Sequence, residues 1–122
     1  MTATERMFPL PVVLTLTTGR FLCATLGELF EALEYLTGDS LMTHQLPRGI
    51  KVCGPYALAA HPKLRGAEPA PGASIGAVAH FLCQAEREHG RELPLSPLPE
   101  GAWTTMDPLT ELADMRDREE TP

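Results

Sequence analysis

The 122-residue chain has no apolar run approaching the roughly 20 residues that span a bilayer; its longest, LPVVLTL, covers only residues 10–16. A membrane role is therefore not expected. Cys23, Cys53 and Cys83 are an odd number with no Cys-x-x-Cys pair, and MTATERMFPL has no basic-then-apolar signal pattern. These features fit a reducing cytoplasm. Nucleotide-binding and hydrolase signatures are missing too: no GxGxxG follows a strand, and there is no GxxxxGK loop, serine-hydrolase elbow or HExxH helix. Nucleotide hydrolysis and metalloprotease chemistry are set aside on that ground. One stretch lacks charge of one sign: residues 40–67 carry +4 and no acid, whereas residues 1–39, 68–99 and 100–122 carry −3, −2 and −5. On a net charge of −6, direct duplex binding is not expected, since it depends on neutralising phosphates with Lys and Arg. The simplest use of the basic middle is to face the acidic tail of its own chain.

What is present indicates a single domain, residues 1–115, followed by a charged tail, 116–122. Twelve prolines are about twice the average usage, so connections make up much of the structure. PVVLTLTTGR alternates Val13, Thr15 and Thr17 with Val12, Leu14 and Leu16, which predicts a strand. Thr25 and Glu28 form a capping box ahead of Leu26, Leu29, Phe30, Leu33 and Leu36, predicting an amphipathic helix from Leu26 to Thr37 stopped by Gly38. Pro47 suits a first helical turn, and Pro55 after Gly54 predicts two short helices meeting there, ended by His61 and Pro62. Residues 63–73 read as a flexible linker. Ser74 caps a second long helix, Ile75 to His89, with Ile75, Val78, Ala79 and Leu82 inward and Gly90 as the stop. ELPLSPLP can be no more than an edge strand. Asp107 and Pro108 start a last helix with Leu109, Leu112 and Met115 on one side, and Trp103 anchors this segment to the core. The fold class expected is α+β: a small helical domain, two long and about three short helices, with a short two-stranded sheet.

The stretch TGDSLMTHQLPR, residues 37–48, holds the ingredients of acid-base or anion chemistry. Asp39 can orient an imidazole, His44 can transfer a proton, and Arg48 offers a fork of donors. Each also has an ordinary use: Asp39 in a turn, Thr43 as a cap, Arg48 paired with the acids of the preceding helix. A mixed zinc site drawn from Cys23, Cys53, His61, His80 and Cys83 lacks ligand spacing, and each thiol sits among apolar residues, so no metal and no cofactor is expected. Cys53 has Arg48 and Lys51 nearby in sequence to activate it, but no base is fixed beside it. Glu28, Glu31 and Glu34 on the outer helix face, and the acids from Asp107 to Glu120, are the other surface candidates. Such faces are usually only solvated; their alternative use is to present carboxylates where a basic partner expects phosphates.

LTTGRFLC, YLTGDSLMTHQLPR, CGPYALAAHP, LPLSPLP and MDPLTELADM together resemble a family of small proteins from tailed phages and prophages, over Leu10 to Met115. The resemblance implies a phage accessory protein in the host bacterial cytoplasm and supplies no catalytic residue. By analogy with other acidic phage proteins, it implies a non-catalytic inhibitor that binds a host defence or nucleic-acid-binding protein complex, in the manner of an anti-CRISPR. The binding residues expected are Asp39, Thr43, His44, Arg48, Glu28, Glu31 and Glu34. The rival is a small enzyme or ligand binder with His44 as base and Arg48 or Arg20 holding an anion; a virion assembly protein is the third. An unpaired edge strand leaves room for a homodimer.

Overall fold

A computed structural model describes residues 5–120. Among them, five helices and two strands follow one another as β1 (Arg6–Pro9), α1 (Leu10–Thr18), α2 (Leu26–Thr37), a 3₁₀ turn (Thr43–Gln45), α3 (Leu46–Ala60), a second such turn (Pro62–Leu64), α4 (Ile75–His89), β2 (Glu92–Leu95) and α5 (Pro108–Glu120). The α+β class expected from the sequence holds. The segment taken for the first strand, however, is helical.

Helix α1 lies at the centre of the molecule. Leu10, Val12, Val13, Leu14, Thr15 and Leu16 are all buried, so the residues that alternate in sequence do not separate into an inner and an outer face. A short apolar run buried on every side carries no period that tells strand from helix. Burial then outweighs the β-branched preference of Val12, Val13 and Thr15. The threonine hydroxyls are accommodated by bonding back to the helix, Thr15 to the Pro11 carbonyl (2.8 Å) and Thr18 to that of Leu14 (2.6 Å). The strand is instead RMFP, one element earlier, paired antiparallel with β2 so that Phe8 faces Leu93 and Pro9 faces Glu92. The edge-strand reading of ELPL was correct.

Helix α2 has the predicted limits, with both halves of the Thr25–Glu28 capping box formed and Gly38 in the left-handed conformation. Its inner residues Leu29, Ala32, Leu33 and Leu36 are buried. Helix α3 runs unbroken through Gly54 and Pro55, where two short helices were expected. Pro55 is on the exposed side, and Gly54 faces α1. The clash that pushes a residue before proline out of the helical region involves its Cβ, which Gly54 lacks. Helix α4 begins at Ser74 and ends at Gly90 as predicted, but its apolar stripe is not inward along its length. Ile75 is 91% exposed and Ala79 is exposed; only the second half reaches the core, through Phe81, Leu82 and the buried Ala85. In the connection before it, Leu64 is buried and Arg20 donates to the Pro69 carbonyl at 2.6 Å. No helix of the described residues is long and apolar enough to cross a membrane.

Candidate functional site

The connection from α2 to α3 is placed by the Gly38 stop, by the Glu34 carboxylate, which accepts from the Leu41 amide (3.1 Å), and by Leu41 itself, buried beside α3. Gln45 is fully buried; its carbonyl oxygen accepts from the Met42 amide at 2.8 Å, and its NH₂ points toward the C-terminal segment. Asp39, His44 and Arg48 do come together on this side of the molecule, around residues 103–111 of the same chain.

Every one of these groups is engaged there. An Asp39 carboxylate oxygen accepts from the Trp103 indole N–H at 3.1 Å. The Arg48 guanidinium stacks on the Trp103 ring, 3.9 Å from its centroid, and donates to the Thr104 carbonyl at 2.8 Å. Its Nε and Nη2 both reach Glu111, each at 3.0 Å, and the Gln45 NH₂ adds a third bond to the same carboxylate at 3.0 Å. His44 Nε2 lies 2.7 Å from the Pro108 carbonyl. A carbonyl only accepts, so Nε2 carries the hydrogen and is not a free base. Glu111 is only 6% exposed. Hydrogen bonds from Arg48 hold its carboxyl below the ordinary 4.5; burial opposes them, and Gln45 and the charges of Arg48 and His44 act with them. The inner face of α5 is thus Pro108, Glu111, Leu112 and Met115, and Leu109, read on one side with Leu112 and Met115, is 70% exposed. Arg48 pairs with α5 and not with the acids of α2, and Thr43 is exposed and makes no side-chain cap.

The α2 carboxylates are engaged as well. Glu28 closes its own capping box, Glu31 pairs with Arg6, and Glu34 holds the loop. Arg6 in turn lies over the rings of Phe8 and Tyr35. Cys53 is fully buried beside α1, and burial pushes its thiol up to about 12, the opposite of activation. Cys23 is raised by burial too, against a hydrogen bond with Thr15; Cys83 is exposed on α4. Among the described residues no three His, Cys, Asp or Glu side chains are placed to share a metal ion. Arg20 is tied to Pro69, apart from the His44 and Arg48 cluster. Beneath α5 remains a groove of about 290 Å³, with His44, Pro47, Arg48 and Lys51 on one wall and Met106, Glu111, Asp114 and Met115 on the other.

Sequence reasoning overlooked Gln45 and put Glu111 on the outside. The signal for Glu111 was available: Pro108, Glu111, Leu112 and Met115 stand at i, i+3, i+4 and i+7, a helix face in which one carboxylate takes an apolar position.

Fold and site together define a small α+β domain whose basic connection is clasped by its own acidic C-terminal helix. Residues 8–67 match a family described as Domain of unknown function (DUF7736), a span that includes Asp39, His44, Gln45 and Arg48 and stops short of α4 and α5. No curated protein and no solved structure matches the chain.

Proposed function

We propose that this protein acts without chemistry, by covering the surface of a protein partner with the side of the molecule formed by α5 and the 3₁₀ turn. The observation that carries the reading is the clasp. It takes up an Asp39 carboxylate oxygen, the Arg48 guanidinium and the Nε2 hydrogen of His44, and in doing so fixes α5 with Asp107 and Asp114 exposed. Two large exposed apolar side chains belong to the same side, Met42 just before the 3₁₀ turn and Leu109 next to Pro108. Apolar anchors with a charged surround are the usual make-up of a binding patch, and carboxylates on a rigid helix suit a partner that binds phosphates. Taken with the sequence resemblance to phage accessory proteins, the partner class is a host defence or nucleic-acid-binding complex, and the action is fixed-ratio inhibition.

Titration into such a complex, isolated from the host, should reach an endpoint at a fixed ratio and show no turnover. Asp114→Lys should weaken binding severalfold, on the scale of one charge contact, while the melting temperature stays near that of the native chain. Substrate turnover lost in His44→Ala would overturn the proposal. The groove beneath α5 favours a second reading, a small anionic ligand held by Lys51 and His44; shifts of the Lys51 and His44 resonances on adding inorganic phosphate or a nucleotide would support it.

A further inference from the structure

The clasp divides into two halves that belong to separate stretches of chain. The receiving half is Asp39, His44, Gln45 and Arg48; the inserted half is Trp103, Thr104, Pro108 and Glu111. Between them the chain is tied to the body up to Leu98, whose amide donates to the Leu36 carbonyl at 2.8 Å, with Tyr56 donating to the Pro97 carbonyl just before. Then come four exposed residues, Pro99, Glu100, Gly101 and Ala102, closed into a turn by one hydrogen bond from the Ala102 amide to the Pro99 carbonyl (3.0 Å), with Gly101 at φ +85°. None of the four enters the clasp bonds.

From this arrangement we infer that the segment 103–120 is an exchangeable arm, and that in a dimer the Glu111 arm of each copy fills the Arg48 cradle of the other. Three features carry the inference. First, the hinge is a single turn held by one backbone hydrogen bond, and proline fixes the φ of Pro99 while biasing Leu98 toward extended backbone, so an open hinge is close to the conformation the sequence prefers. Second, among the described residues the arm adds only the partly buried Trp103 against the apolar core, and none of the fully buried core residues belongs to it. Third, the inserted half carries a carboxylate that the cradle bonds three times, twice from Arg48 and once from Gln45. Released into water, the arm leaves the Gln45 NH₂ and Arg48 without it; inserted into a second copy, it restores the same bonds. Closed monomer and exchanged dimer therefore differ in the hinge and in the entropy of association, and the dimer is two-fold symmetric with two identical clasps. The route is distinct from pairing at the edge of the sheet.

The test needs no knowledge of function. Light and isotopically heavy native chains, mixed and incubated at high concentration, should give dimers of mixed mass in native mass spectrometry. Arg48→Ala and Glu111→Ala variants provide the second arm. Each alone has only damaged clasps, but a mixed dimer contains one intact pair, Arg48 from one chain with Glu111 from the other. The dimer fraction of the equal mixture should exceed that of either variant by roughly tenfold or more, as restoring a buried ion pair implies. Absence of mixed-mass dimers in the native mixture, together with a variant mixture that behaves as the sum of its parts, overturns the inference. So does a dimer equally abundant in both single variants, since that association does not use the arm.

Discussion

Glu111 decides how the C-terminal helix is held, and it does so as a charge. Its folded-state pKa is depressed, chiefly by the hydrogen bonds from Arg48, so its contribution to stability is fully present above the ordinary value of 4.5 and is lost as pH falls through the lower folded value. Asp107, held low by the Thr110 amide at the start of the same helix, acts in the same direction. His44, Asp39, Arg48 and Asp114 are the other charged or titratable groups around the clasp. Trp103, the only tryptophan, reports on the event because its ring lies under Arg48. Acidification should therefore shift Trp103 emission to the red with a midpoint below pH 4.5. In Glu111→Gln, which keeps the shape but not the charge, the protein should be about 1–3 kcal/mol less stable at neutral pH and the acid step should be much smaller. An unchanged acid step in that variant would assign the titration to another group. At this scale the sequence was half legible. Asp39, His44 and Arg48 could be selected as a group by type and spacing, but their partners lie some 60 residues away, and no local pattern indicates a contact at that separation.

At the scale of elements, legibility followed local chemistry. Helix α2 was readable to the residue because its start and stop are made within it, by Thr25, Glu28 and Gly38. Helix α1 was not, because its conformation is fixed by being surrounded, and alternation over so few residues fits either period. The continuity of α3 depended on Gly54, read in sequence as a break and used in the structure as a point of close approach. A Cβ added there would lie 2.5 Å from the Leu16 carbonyl oxygen of α1. Since that neighbour is backbone in a fully packed helix, it cannot move aside as a flexible side chain would, and the added methyl would also meet Pro55. Gly54→Ala should accordingly destabilise by about 1–3 kcal/mol, the usual range for overpacking a core. Gly27→Ala, at an open site near the start of α2, should be close to neutral or slightly stabilising. Equal melting temperatures for the two variants would show that α1 and α3 are not in the close contact described.

For the molecule as a whole, the charge partition was the most informative feature of the sequence. A basic middle without an acid and an acidic end could be expected to meet, and they do so through Arg48 and Glu111, an ion pair largely removed from water. What the totals could not show is how unequal the two partners are. Among the described residues, the buried apolar core lies between Phe8 and Leu95, and beyond Leu98 the buried side chain is a carboxylate, Glu111, with Trp103 partly covered and packed against the core. Hydrophobic burial is the main driving term of folding, so stability should reside in the first part of the chain and the arm should depend on it, with little dependence in the other direction. A chain ending at Leu98 is the direct check. It should still fold cooperatively, with α1 to α3 and the sheet protected from hydrogen exchange, at a lower melting temperature, and with its Arg48 and Gln45 side chains open to solvent. The reverse piece, residues 99–120, should be unstructured alone, being a single helix of 13 residues without a core. If the Leu98 truncation unfolds, the arm is part of the folding unit, and the picture of a self-sufficient body with an added clasp has to be abandoned.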